Sequence, residues 1–363
     1  MLADGTLAVA SANPADALPG QPVSAPDLLW ALRGGGAGTA VVYEWTVAVY
    51  PAPSTVTQCA QEYAVPTLSA YQAFTTQLFA TWNPGATLSG SLYPYIRYYL
   101  FKSRADGRRL ARIVVTGWDT DVQTVDSTIT AGMAPLTSES SRCRTFPSWL
   151  EYVRFFALED YYGAEKAQAA TPANFTLRYQ LSVDFLGWPN GQPVPLTPFG
   201  KFEAANPPPS QGGPSPFKAQ GIFSYGPWSS TATAAVYNLL DLNVFSAGYV
   251  LGGALAGPAG PAATDGVSSA AHSAWGRATS LLLTGMPVSN VVANVAAVAA
   301  GQVLDADPAP VGVGKRFYNF LNCYAPASDS TLFDLYYGAT APRLVGIKAL
   351  ARAVGRMTTW CGW

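Results

Sequence analysis

The sequence predicts an α+β fold in which helices cover one face of an antiparallel sheet, and three observations carry that reading. Strand-like stretches come in runs with helical segments interspersed, the arrangement expected of an antiparallel sheet covered on one side. Asp106-Gly107 separates two such stretches, 95–101 and 110–117, and an Asp-Gly pair is a turn signal that folds neighbouring strands into a hairpin. The composition is that of a core builder: 49% apolar and 12% charged residues, with 10 Trp, 19 Tyr and 16 Phe, which excludes a disordered chain. At 363 residues the chain holds one large or two ordinary domains.

Residues 6–51 read as a strand–helix–loop–strand unit. Ser24-Ala-Pro-Asp27 is a helix start: Ser24 can cap, Pro26 suits the first turn, and Asp27 completes a capping box. Arg33 falls in the last turn, where a cation meets the negative end of the helix dipole, and Gly34 can take the positive φ that follows a helix. The Val-, Tyr-, Trp- and Thr-rich run 40–50 favours a strand. The order helix, glycine run, strand is the reverse of a Rossmann unit, and the glycines miss the G-x-G-x-x-G spacing, so that fold is rejected. The glycines could still let the backbone approach a ligand closely.

Pro51 and Pro53 mark a crossover, and the spacing of Leu68, Tyr71, Phe74, Leu78 and Trp82 predicts a helix over 67–82, stopped by Asn83-Pro-Gly85. Further helices are predicted over 121–133, from Phe146 to 158, and from Thr340-Ala-Pro342 to 354. Strands are predicted over 175–185, 217–225 and 245–255. Asn206-Pro-Pro-Pro-Ser-Gln-Gly-Gly213 is a loop or lid, because its composition supports neither regular element. No internal repeat is visible.

A net charge of −1 gives no footprint for nucleic acid, and no block of like charge points to a membrane surface. The longest apolar stretch, 288–303, is interrupted by Ser289, Asn290, Asn294 and Gln302; it is too short to span a bilayer and reads as a mostly buried amphipathic helix. No signal peptide is visible. None of Cys59, Cys143, Cys323 and Cys361 forms a C-x-x-C pair, and His272 is the single histidine, so a zinc site is not expected. Disulfide pairing is left open. Asn174-Phe-Thr176 is a glycosylation sequon, a weak pointer to the secretory pathway.

Asp27-Leu-Leu-Trp-Ala-Leu-Arg-Gly-Gly-Gly-Ala-Gly38, running on to Pro51, closely resembles the "DLFWALRGGGGG…GVVT…HP" signature of the berberine bridge enzyme-like flavin oxidases, within the vanillyl-alcohol oxidase or PCMH-type flavoproteins. Later pieces keep family order. Phe146-Pro-Ser-Trp-Leu-Glu151 resembles its "SW-hydrophobic-E" helix start, Pro216-Phe-Lys-Ala219 its "FKAKS", and Leu251-Gly-Gly-Ala254 its "GGA". His272-Ser-Ala-Trp-Gly-Arg277 resembles "HPAWR", Phe317-Tyr-Asn-Phe320 "Y-x-N-Y", and 336–348 "YYG-x-N-x-x-RL-x-x-IK".

The resemblance implies an FAD-binding domain split in sequence around a substrate domain, with flavin between the two. Residues 1–52 would end the first FAD-domain portion, 53–315 form the substrate domain, and 316–363 return to the FAD domain. It implies an oxidoreductase that oxidises an alcohol, sugar or specialised metabolite with oxygen as acceptor. Gly34, Gly35, Gly36, Gly38, Val41, Val42 and Asn319 would contact FAD. For the catalytic base it offers Tyr318, Glu203 or Asp184, with packed-strand, solvated-loop and strand-edge readings beside them. His272 reads as structural, and Arg343 and Lys348 as salt-bridging residues of the last helix.

Several features depart from the family pattern. The covalent-attachment His and Cys and the main pyrophosphate loops of the family lie upstream of the signature, and no His or Cys precedes Cys59 here. Thr340 replaces the Asn after "YYG", the aromatic–glycine pair after the glycine run is missing, and Val354-Gly-Arg-Met357 stands where "YDP-x-x-F" is usual. The chain is therefore expected to be the rear portion of a flavoprotein, with an N-terminal FAD subdomain as complement and a small molecule as substrate. An inactive remnant and a binding module without redox activity are the competing expectations.

Overall fold

The computed structural model describes residues 1–2, 5–34, 39–46, 51–82, 92–102, 107–152, 217–242, 245–250, 278–287, 291–308, 315–316 and 336–351. Among them seven strands form one sheet, each neighbouring pair antiparallel, as the sequence predicts. The strands are β1 (Val56–Ala64), β2 (Leu92–Lys102), β3 (Arg109–Trp118), β4 (Ser140–Phe146), β5 (Phe217–Ser224), β6 (Phe245–Val250) and β7 (Ser280–Pro287). Their order across the sheet is β4-β1-β3-β2-β6-β7-β5. β2 and β3 make the expected hairpin, with Phe101 opposite Leu110 and Gly107 at φ +71°, a conformation that suits glycine. The β2–β3 register shifts between Tyr93 and Arg97, around Pro94, which has no amide hydrogen for the ladder.

The main helices described are α1 (Ala25–Leu32), α2 (Leu68–Thr81), α3 (Val122–Met133), α4 (Ser230–Asn238), α5 (Val291–Ala306) and α6 (Ala341–Ala351), beside short 3-10 turns. Four begin on a side-chain cap: Ser24, Thr67, Asp121 and Ser229 each accept a backbone N–H of the first turn. α2, α3 and α4 cover one face of the sheet. Tyr71, Phe74, Leu78, Val125, Ile129, Met133, Ala232 and Val236 share a buried core with Cys59, Ile96, Tyr98, Leu100, Ile113, Val115, Ile222 and Leu282. The strand residues of that set alternate along β2 and β3, the period-2 signature of a sheet with distinct faces.

A second core joins the two ends of the chain. Leu2, Val23, Leu28, Trp30 and Ala31 pack against Tyr336, Tyr337, Ala341, Leu344, Ile347 and Ala351, which sets α1 against α6. Arg343 bridges the pair, donating to Asp27 at 2.9 Å with its guanidinium 4.2 Å from the centre of the Trp30 ring. The expected salt-bridging role of Arg343 is met. Lys348 is buried near the Tyr337 ring.

Several sequence expectations are corrected. Residues 6–11 form no strand; the Gln21 amide pins this segment instead, accepting from Val9 and Leu18 and donating to the carbonyls of Val9 and Val23. Of the strand expected over 40–50, residues 40–46 are described and carry no ladder. β-propensity supplies no partner; among the described residues the backbone of this run pairs with Met1 at Val41. Phe146 ends β4, and the helix expected from it begins at 149. α5 is amphipathic, with the valines of its first turns outward and Val303 packed on the main core. Ala293, Ala297 and Ala300 are buried against Leu239, whereas Val291, Val292 and Val295 are exposed. The small residues on that stripe let the helix lie close to the 239–242 turn. Among the described residues no helix is long and apolar enough to cross a membrane.

Candidate functional site

The capping box at the start of α1 forms as expected: the Ser24 hydroxyl donates to the Asp27 carboxylate at 2.8 Å and accepts the Asp27 N–H at 3.2 Å. The Asp27 carboxyl is held below the usual carboxylate range by its hydrogen bonds from Arg343 and Ser24. α1 ends at Leu32, Arg33 caps it with its side chain exposed, and Gly34 turns out at φ +107°. A side chain at Gly34 would be strained, so the chain leaves the helix there as the sequence predicts.

Gly35, Gly36 and Gly38 lie outside the described residues, and the chain resumes at Thr39. Thr39 is 2% exposed, and its hydroxyl oxygen is buried with no protein partner. Val41 and Val42 follow at 61% and 54% exposure, then Tyr43 at 69% and Trp45 at 80%. These flank the glycine run with one orphaned hydroxyl, backbone outside any strand ladder and apolar surface.

That set fits one wall of a nucleotide site. Backbone without Cβ permits close approach, and a buried orphan hydroxyl is a group that seeks a polar partner. It does not amount to a whole diphosphate cradle, which needs several backbone donors, a helix N-terminus or basic side chains. Among the described residues, the exposed cations of α1's exit and of α6 are Arg33 and Arg343, the latter engaged with Asp27.

The sheet face opposite α2–α4 offers a second set, which the sequence reading did not single out. Alternation along β2 sends Ile96, Tyr98 and Leu100 into the helix-covered core and Arg97 and Tyr99 to the other side. Arg97 is buried and donates to the Tyr99 hydroxyl at 2.8 Å. Beside it Arg112 on β3 pairs with Glu62 on β1 and lies over the Phe101 ring at 4.9 Å, while Ser140 donates to the same carboxylate at 3.1 Å. Gln58 and Thr116 face each other further along the ladder, both buried, with the Gln58 amide nitrogen unpartnered. The visible signal was an arginine at an inward position of an aromatic strand. Such a wall can hold a polar small molecule and accept or return a proton through a hydroxyl oriented by a fixed cation.

Tyr318, Asn319, Glu203, Asp184 and His272 lie outside the described residues, as do the strand expected at 175–185 and the loop at 206–213. Of the residues expected to meet the cofactor, Gly34, Val41 and Val42 are placed: Gly34 follows α1, and Val41 and Val42 are exposed just after Ala40, which packs on the α1–α6 core.

No protein-family profile and no curated protein matches the chain. Solved structures do. The chain has the berberine bridge enzyme fold. Berberine bridge enzyme itself, as a single-site variant, aligns at TM-score 0.57 with 16% identity over 90% of this chain and 59% of its own. Phl p 4, a grass pollen allergen with glucose dehydrogenase activity, aligns at TM-score 0.60 with 13% identity over 90% and 58%. The xylooligosaccharide oxidase of Myceliophthora thermophila C1 aligns at TM-score 0.59 with 14% identity over 96% and 61%. The chain thus spans about three-fifths of the length of the solved proteins it matches.

Proposed function

We propose that this chain is part of an FAD-linked oxidoreductase that acts on a small polar molecule, an alcohol, sugar or specialised metabolite. The observation that carries the reading is the packing of α1, with its glycine turn, against α6 from the far end of the chain. That packing supports grouping 1–52 with 316–363 as the cofactor side and treating 53–315 as the sheet-bearing substrate domain.

FAD would supply the redox chemistry when bound, and the protein would bind and orient it. Gly34, Gly35, Gly36 and Gly38 with the Thr39 hydroxyl would face the nucleotide, Val41 and Val42 would pack against it, and Asn319 would lie toward the ring. Tyr99, held by Arg97, joins Tyr318 and Glu203 as a candidate for moving the substrate's proton. Oxygen is the acceptor in this reading.

The exposed stretch 41–46 supports a complement: a nucleotide-binding subdomain that covers this apolar surface and supplies the rest of the phosphate cradle. The disulfide Cys59–Cys143 suits manufacture in an oxidising compartment.

The test is co-expression of this chain with the N-terminal nucleotide-binding portion of a berberine bridge enzyme-like protein. The proposal expects a yellow complex whose flavin absorbance bleaches anaerobically with a sugar or alcohol from a substrate panel. A colourless, soluble chain that binds a small molecule would replace it with the binding-module reading. Colourless aggregate under all pairings would favour an inactive remnant.

A further inference from the structure

Well away from the glycine turn, strand pairing sets Cys59 of β1 directly opposite Cys143 of the edge strand β4, and the two form a disulfide. α3 places Asp126 beside them, so that both sulfurs and a carboxylate oxygen lie within 4.8 Å of one another. We infer that reduction of this disulfide by a dithiol turns the trio into a binding site for a thiophilic divalent cation, Zn²⁺ foremost.

The chemistry balances. The dithiol gives two electrons and two protons, the Cys59–Cys143 S–S bond breaks, and the dithiol closes to its own disulfide. Cation binding then releases the two thiol protons to solvent. Two sulfur–metal bonds and one carboxylate oxygen–metal bond form, and a water takes the fourth tetrahedral position. Thiolates select zinc-like ions over magnesium or calcium.

Three features make the trio more than a cross-link. The antiparallel ladder on both sides of Cys59 fixes the two cysteines face to face whether or not they are bonded, so the reduced thiols stay a chelating pair. Asp126 is held by neighbours: it accepts from the Gln61 amide at 3.0 Å and the Ser141 hydroxyl at 2.6 Å. Gln61 in turn donates to Thr130 at 2.9 Å and accepts from the Tyr63 hydroxyl at 2.7 Å. Outer hydrogen bonds of this kind orient ligand carboxylates in metal sites. Burial and then the Asp126 charge push the Tyr63 phenol up to about 12, which keeps it a donor to Gln61. Access is the third feature: Cys143 and Asp126 are half-buried, giving a cation a way in, while Cys59 is buried beneath α3. The ligands come from three elements distant in sequence, which is why their spacing carries no zinc motif.

The experiment uses the full chain with Cys323→Ser and Cys361→Ser, so that only this pair can be reduced. Protein treated with dithiothreitol, freed of reductant under argon and folded by circular dichroism is titrated with Zn²⁺, and with Co²⁺ for its thiolate charge-transfer band. One equivalent should bind with the band present, the oxidised protein should bind none, and Zn²⁺ should protect both thiols from alkylation. Asp126→Asn should weaken binding about 10-fold or more, and Cys143→Ser should abolish the band. Equal binding by oxidised and reduced protein, unchanged affinity in Asp126→Asn, or loss of the sheet on reduction would each overturn the inference.

Discussion

Breaking the Cys59–Cys143 bond in metal-free solution is the perturbation whose size follows most directly from this structure. The bond joins residues 84 apart in sequence. In the chain-entropy treatment, freeing a loop of that length raises the entropy of the unfolded state by about 15 cal/mol/K, about 4.6 kcal/mol at 25 °C. Oxidised and reduced protein contain the same side chains, so the comparison leaves the packing of the buried Cys59 in place. Unfolding entropy of about 2.1 cal/mol/K per residue gives about 0.76 kcal/mol/K for a chain of this size, so the midpoint should fall by about 6 °C. The assay is thermal unfolding followed by tryptophan fluorescence and circular dichroism, with and without a phosphine reductant, in the presence of a chelator. Free-thiol titration confirms the state of the bond. Coincident melting curves for the two states would refute the reasoning: either the bond does not form, or β4 is not part of the cooperative unit that unfolds.

Other perturbations have equally specific outcomes. Gly132→Ala would place a Cβ 2.6 Å from the buried Trp82 ring and 2.8 Å from the Thr81 methyl. This overpacking should destabilise by about 1–3 kcal/mol in urea unfolding, and an unchanged midpoint would show that α2 and α3 can separate freely. Gln21→Ala removes an amide that makes hydrogen bonds with Val9, Leu18 and Val23. It should cost about 1–3 kcal/mol and speed amide exchange over 8–23; unaltered exchange there would contradict the pinning role. Asp27 titrates below its ordinary 3.8 in the folded protein because of Arg343 and Ser24. Its contribution is present above pH 3.8 and is lost as pH falls through the lower folded value. Asp27→Asn should therefore flatten the acid limb of a stability–pH profile below about pH 4 while changing its shape little at pH 7. An unchanged acid limb would show that the Arg343 contact is screened.

The parts of the fold that could be read from sequence are those where local signals and tertiary demands agree. The 67–82 and 121–133 helices carry their own caps in Thr67 and Asp121, and the β2–β3 hairpin carries its glycine at positive φ. β1 escaped notice because polar residues fall on both of its faces, Gln61 one way and Gln58 and Glu62 the other. Gln61 donates to Asp126 and Thr130, and Glu62 accepts from Arg112 and Ser140, partners that lie far away in sequence. β4, as an edge strand with two arginines and two serines, reads as loop for the same reason. In β7 a short apolar run has no period by which to tell strand from helix.

The converse error is residues 40–46, where strong β-propensity promised a strand and no neighbouring backbone supplies a ladder. At the candidate site the glycine turn was legible because helix exits have a local code. The Arg97–Tyr99 pair was not, since what buries an arginine is the surrounding sheet and not its own sequence neighbours.

The proposed function turns on Gly34 to Val42 forming one wall of a flavin-nucleotide site that a second polypeptide segment would close. Gel filtration of the purified chain with excess FAD, followed by the absorbance of the protein peak, tests it most directly. The account predicts a colourless peak for the chain alone and a yellow one, near one flavin per complex, when the complementary nucleotide-binding portion is added. Stoichiometric flavin retained by the chain alone would contradict it, as would a colourless peak from a complex that demonstrably forms.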